Sequence, residues 1–376
     1  MFNSLNAYNL RHIGLIVISC FIFTTLITFV VKKIAIHIGA MDIPNERKIH
    51  KVPMPRLGGL AIFLGFLFGY IMFGQHSVQM NSILIGGILI ILLGIFDDIK
   101  PVPAKIKFSG QILAALTLML YGNFLIENLT FLGISINLGW FSYIFTLFFI
   151  LGCINIINLI DGLDGLCSGT CAIFYITVGI LSLMKANSSI LAITLTFIMF
   201  GSSLGFLVHN FNPAKIFLGD SGSMFQGFMI ATISLLGFKT TTLISLVVPV
   251  LILGIPILDT LFAIIRRTLR HQPIYLPDKC HLHHQLLNLG LSHKNTVLAI
   301  YGMNILFAIA SIIYTIKDRK FGAIIYLIIF ILIVWIVTKT SIIADRKHPK
   351  KDDDPIKERI KNNTTNNKKK KKTKKK

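Results

Sequence analysis

The chain has 376 residues, of which 54% are hydrophobic and only 14% charged, and its mean hydropathy is +0.73. This excludes a water-soluble globule and leaves a polytopic membrane protein. The formal net charge of +21 comes with no folded nucleic-acid module, so membrane lipid and not nucleic acid is the expected neighbour of the basic residues.

A helix crossing the hydrocarbon core needs roughly 17–25 apolar residues. Eleven runs are candidates: 13–31, 57–73, 83–96, 106–121, 141–154, 166–184, 190–208, 223–236, 243–265, 297–316 and 321–337. The shorter ones end at polar motifs, so their last turns are expected to be buried in protein or to line a wet cavity. The first run is long, lacks a small-residue cleavage pattern and is followed by Lys32 and Lys33, which favours a helix over a signal peptide. Pro249 and Pro256 predict a kink in the run 243–265. Five cysteines fall in no CxxC or close Cys/His pattern and are expected to be packing residues. The fold class is therefore all-α, with about eleven transmembrane helices over residues 1–340. Residues 341–376 form a lysine-rich, low-complexity tail expected to be disordered.

Alternate loops orient the chain. Segments 32–56, 97–107, 209–222 and 266–296, with the tail from Lys339, hold 31 of the 37 basic residues. By the positive-inside rule these are cytoplasmic, the N-terminus is outside and the C-terminus inside. "KDRK" at 317–320 breaks the pattern. Anionic lipid can hold the tail, each basic residue near the surface contributing about 1 kcal/mol.

The cytoplasmic side also collects polar motifs: "FDDIKPVPAKIK" at 96–107, "NIINLIDGLDG" at 155–165, "HNFNPAKIFLGDSGS" at 209–223 and "PDKCHLHHQLLNLG" at 277–290. Asp97, Asp98, Asp161, Asp164 and Asp220 make up five of only sixteen acidic residues. Each motif has an ordinary reading: an Asp pair facing water, acidic caps on the helix from Leu166, a small-residue turn before Ser223. His281, His283 and His284 do not share one helix face, and nearby Arg266, Arg267, Arg270 and Lys279 suggest an anion site over a metal site. One shared site accounts for all four loops at once. Carboxylates and an asparagine suit magnesium, and lysine, arginine and histidine suit phosphates, which points to phosphoryl transfer at a cytoplasmic-face active-site cleft. An ion-coupled secondary transporter is the rival reading, but it predicts charges near the bilayer midplane and an internal repeat, and the sequence shows neither.

Together with "IPNERKIHKVPMPRLGGLAI" at 43–62, these motifs resemble, in order and spacing, the polyprenyl-phosphate N-acetylhexosamine-1-phosphate transferases. The resemblance covers residues 10–340 and implies transfer of a sugar-1-phosphate from a UDP-N-acetylhexosamine to undecaprenyl phosphate, with release of UMP. "HLHH" in place of consecutive histidines resembles the branch that uses UDP-N-acetylglucosamine, and intact "DGLDG" points to a bacterial inner membrane. By the same resemblance Asp220 is a magnesium ligand, with Asn158 a second and manganese a substitute ion. Asp97 and Asp98 match the pair of which one deprotonates the prenyl phosphate, with Asp97 preferred, and Lys105 the lysine that neutralises phosphate nearby. Asp164, Asn210 and Phe217 fall at the uridine, and Asp161 faces the nucleotide and metal. His281, His283 and His284 line the diphosphate and sugar, and Lys48 and Arg56 contact the lipid phosphate. A homodimer is also implied.

Overall fold

The structure, a computed structural model, describes residues 10–44, 52–131, 134–184, 188–238 and 289–316, with 285–287 and a few isolated positions. Apart from such isolated positions, the runs 243–265 and 321–337 lie outside the described residues, as do the proline kink and the tail.

The other nine runs are helices. They are α1 (Leu10–His37), α2 (Gly58–Phe73), α3 (Val78–Ile99), α4 (Ala104–Leu116), α5 (Phe141–Ile160), α6 (Leu166–Met184), α7 (Ile190–Asn210), α8 (Gly219–Phe238) and α9 (His293–Ile316). A π-helical turn, Thr117–Tyr121, prolongs α4. By length and composition α1, α3, α5, α6, α7 and α9 suffice to cross a membrane. The all-α expectation needs one amendment. Strand β1 (Met41–Asp42) pairs with β2 (Met54–Pro55), and β3 (Asn128–Phe131) with β4 (Ile134–Asn137), both antiparallel. These pairings satisfy main-chain groups in connections that hydropathy alone reads as loops.

Helix α8 is the centre of the bundle, with α2, α3, α5, α6 and α7 packed on it. Met224, Phe225, Phe228, Met229, Ile230 and Leu235 are all buried, as expected of a helix that is apolar all round. On the periphery, α1 exposes Leu15, Ile18, Ile22 and Leu26, a face suited to lipid. Small residues let α8 begin between α2 and α3. A Cβ on Gly59 would stand 2.1 Å from the Gly222 nitrogen, and one on Gly94 would stand 2.2 Å from Ser221 Cα.

The segment before α2 is tied down on both sides. Arg56 N–H donates to Ala40 O (2.9 Å), Phe217 N–H to Pro55 O (2.8 Å), Gly58 N–H to Phe217 O (2.9 Å) and Gly59 N–H to Leu218 O (2.9 Å). Arg56 is thereby fixed beside the start of α8.

Candidate active site

At one end of the bundle, α3, α5 and α7 finish where α4, α6, α8 and α9 begin. Adjacent residues on a helix point about 100° apart, so Asp97 and Asp98 in the last turn of α3 face different neighbours. Asp98 faces α8. Its Oδ1 accepts Asp220 N–H at 2.8 Å, and its Oδ2 accepts Ser221 N–H at 3.1 Å and Ser221 Oγ–H at 2.6 Å. Arg56 Nε lies 3.0 Å from Oδ1, and the Asp98 side chain is wholly shielded from solvent. It satisfies the first donors of α8 and complements that helix's positive end. Gly219, with φ +75, is required there, because a Cβ would come within 2.5 Å of Asp98 Oδ2.

Asp97 faces α4. Its Oδ1 accepts Val102 N–H at 2.8 Å, and its Oδ2 pairs with Lys107 Nζ at 3.2 Å. Lys107 also pairs with Asp220 Oδ2. The other oxygen of Asp220 meets Arg56 NH2 and Asn158 Nδ2, each at 3.1 Å, and Asn158 Nδ2 also donates to Ser223 Oγ at 2.8 Å. Asp220 is the hub, bridged by Lys107 to Asp97 and by Arg56 to Asp98.

Beside this cluster opens a cleft of about 560 Å³, lined by Asp42, Arg56, Asp161, Asp164, Asn210, Asn212, Phe217, Asp220 and His293 among others. Asp164 Oδ2 accepts Asn212 Nδ2–H at 2.9 Å and Ala214 N–H at 3.1 Å. Asn210 is buried and braces the walls. Its Oδ1 accepts Gly165 N–H (3.1 Å) and Ser168 Oγ–H (2.8 Å), and its Nδ2 donates to Ile216 O (3.0 Å). Burial, and then the nearby Asp220 carboxylate, pushes the Asp161 carboxyl up to about 8.

The sequence expectations meet this geometry unevenly. Asp97, Asp98, Asp220, Arg56 and Asn158 come together, while Asp161, Asp164, Asn210 and Phe217 line the adjoining cleft with Asp220 and Arg56. Arg56, expected at a lipid phosphate, bridges Asp98 and Asp220. Lys105, expected to neutralise a nearby phosphate, makes no ion pair with these aspartates. It is exposed, since two positions along a helix turn a side chain through about 200°, and the lysine of α4 that reaches the aspartates is Lys107. Lys48, His281, His283 and His284 lie outside the described residues. Sequence reading missed Lys107, Ser221 and His293. The first was legible as the partner of Lys105 on the opposite face, and the last sits just before the apolar run that marks α9.

Among the described residues no three or more His, Cys, Asp or Glu side chains are grouped to hold a metal ion. Magnesium does not need such a cage, because it takes one or two protein carboxylates and completes its shell with water and substrate phosphates. The donor chemistry fits. Asp220 offers carboxylate oxygens at the mouth of the cleft, with the Asn158 amide against it and the Asp161 carboxyl on the same lining.

Residues 80–238 match the family described as Glycosyl transferase family 4. A Bacillus subtilis (strain 168) protein named probable undecaprenyl-phosphate N-acetylglucosaminyl 1-phosphate transferase is 43% identical over 315 residues, covering 83% of this chain and 86% of its own. The decaprenyl-phosphate N-acetylglucosaminephosphotransferase of Mycobacterium leprae (strain TN) is 35% identical over 322 residues, covering 78% and 81%. The undecaprenyl-phosphate alpha-N-acetylglucosaminyl 1-phosphate transferase of Escherichia coli (strain K12) is 29% identical over 302 residues, covering 78% and 81%. The matched stretch contains Asp97, Asp98, Lys107, Asn158, Asp161, Asp164 and Asp220, whereas Arg56 and His293 lie outside it.

Proposed function

Because the chain belongs to glycosyl transferase family 4, we propose that it transfers N-acetylglucosamine-1-phosphate from its UDP-sugar to undecaprenyl phosphate. A phosphate oxygen of the lipid attacks the sugar-bearing phosphorus, the bond between the two phosphates of the UDP-sugar breaks, and UMP leaves. The product is a pyrophosphate-linked lipid sugar that initiates a cell-envelope glycan. The observation that carries the reading is the Asp97–Lys107–Asp220–Arg56–Asp98 chain of ion pairs opening onto the cleft of about 560 Å³.

Asp220, with Asn158 beside it, would hold magnesium, which would supply charge neutralisation at the diphosphate. The protein groups divide the remaining tasks. Asp97 accepts the proton of the lipid phosphate. Lys107, between Asp97 and Asp220, balances charge that develops on the transferred phosphate. Asp98 positions the start of α8, and hence Asp220. Asp161 and Asp164 face the nucleotide, Phe217 offers a ring for uracil, and His281, His283, His284 and Lys48 complete the phosphate and sugar side. Lys100, Lys105, Lys107 and Lys215 lie in or beside the connections that carry the site, which supports a cytoplasmic active site in a bacterial inner membrane. The homodimer rests on the family resemblance alone.

The test is incubation of purified protein with magnesium, undecaprenyl phosphate and a panel of radiolabelled UDP-sugars, with the lipid product identified and a chelator control. Transfer from UDP-N-acetylglucosamine that stops in excess chelator is expected. Folded protein that yields no lipid-linked sugar from it would refute the function, and full turnover in chelator would refute the magnesium role.

A further inference from the structure

Helix α9 lies beyond the stretch that matches the family, yet it reaches into the site at two points. The turn Asp161–Gly165 joins α5 to α6 and carries both carboxylates of "DGLDG". Asp164 N–H donates to His293 Nε2 at 2.9 Å, and Tyr301 Oη–H donates to Gly165 O. These partners lie 129 and 136 positions away in sequence. Gly165 has φ +79, a left-handed conformation that glycine adopts without steric cost.

We infer that α9 clamps the "DGLDG" turn, and that His293 and Tyr301 are positioning residues that set how tightly the cleft holds the UDP-sugar. The inference rests on the functional reading above. Three features make the contact specific. First, a main-chain N–H is always a donor, so the His293 Nε2 it meets is unprotonated and the neutral ring carries its proton on Nδ1. Second, Gly169 on α6 makes room for the phenol, since a Cβ there would stand 1.8 Å from Tyr301 Oη. Third, Asn304 Nδ2 on α9 donates to Thr170 Oγ1 on α6 at 3.1 Å, which carries the contact further along the two helices.

Asp164 is thus held from both sides, its main chain by α9 and its carboxylate by Asn212 and Ala214. His293 also lines the cleft. A residue that fixes a nucleotide-binding turn supports ground state and transition state alike, so its loss raises KM and spares kcat.

The experiment compares wild type, His293→Leu, His293→Gln and Tyr301→Phe in the full-length protein. Glutamine keeps an acceptor oxygen near the position of Nε2, leucine keeps bulk without one, and phenylalanine keeps the ring without the donor. Hydrogen–deuterium exchange of the peptide spanning 160–168 should speed up roughly tenfold in His293→Leu and Tyr301→Phe and stay near wild type in His293→Gln. KM for UDP-N-acetylglucosamine should rise by about tenfold, with kcat within about threefold. Unchanged exchange in 160–168, a fall in kcat at unchanged KM, or a glutamine variant as impaired as leucine overturns the clamp. Equal acceleration across α6 and α8 also overturns it, since that marks loss of the bundle and not of one turn. If the wild type transfers nothing from UDP-N-acetylglucosamine, the functional reading fails and the exchange comparison still decides the clamp.

Discussion

Replacing Asp98 by asparagine should weaken the fold at the start of α8 before it touches chemistry. The isostere keeps one acceptor oxygen and turns the other into a donor. If its NH₂ takes the Oδ1 position it faces Asp220 N–H and the Arg56 guanidinium, and at Oδ2 it faces Ser221 N–H and a hydroxyl that can rotate to accept. The second arrangement is the less costly. It still leaves one main-chain donor of α8 without an acceptor, at about 1–3 kcal/mol, and deprives Arg56 of a full anion. Removing one member of a buried pair typically costs about 3–5 kcal/mol, and we expect a total in that range. Thermal unfolding in detergent should show a fall in Tm on the order of 5 °C. Adding Arg56→Met to Asp98→Asn should cost less than the sum of the two single changes, because both remove the same Arg56–Asp98 ion pair. An Asp98→Asn protein with unchanged Tm and abolished turnover would show that Asp98 acts on the reacting groups, contrary to the bracing role derived from its contacts.

Lys107→Met should cut kcat about 100-fold by removing the cation shared by Asp97 and Asp220, whereas Lys105→Ala should leave turnover within about threefold. The reverse ranking in a transfer assay would return the role to Lys105. Asp97→Asn should lower kcat much more than it raises KM for the UDP-sugar, and Asp164→Asn should chiefly raise KM. Equal kcat losses at unchanged KM would contradict that division. Burial, and then Asp220, holds the Asp161 carboxyl up to about 8, so between about pH 4 and that value the folded chain keeps a proton the unfolded chain has released. Metal-free protein should therefore lose stability as pH rises through that window, and Asp161→Asn or added magnesium should flatten the slope in a series of Tm measurements. A slope unaltered by Asp161→Asn would exclude this carboxyl as its source.

Hydropathy made the nine described helices legible because each is a long apolar run, but it cut several of them at their functional ends. Helix α5 seemed to stop at Ile154 because asparagines follow, yet it continues to Ile160. Asn155 and Asn158, three apart, then share a face, where Asn155 reaches Gln111 of α4 and Asn158 reaches Asp220 of α8. Helix α8 likewise starts at Gly219 and not at Ser223, which brings Asp220 and Ser221 into its first turn. The choice between Lys105 and Lys107 was hidden for another reason. Both are basic and both sit in the motif, and only the rotational phase of α4 against α3 and α8 separates them. His293 and Tyr301 gave no local signal at all, since their role depends on the packing of α9 against α6.

Arg56 and Lys107 also bear on the order of events during biogenesis. Carboxylates brought together at the edge of a hydrocarbon layer are costly when unpaired, and a newly inserted chain must assemble its bundle before any cation or nucleotide occupies the site. The two basic side chains let Asp97, Asp98 and Asp220 come together during that interval, each in contact with at least one positive group. If magnesium is the resident ion, as proposed, the bundle does not depend on it to bring these three carboxylates together. On the proposed function, the same two basic side chains that neutralise the carboxylates in the empty site stand where a phosphate would enter it.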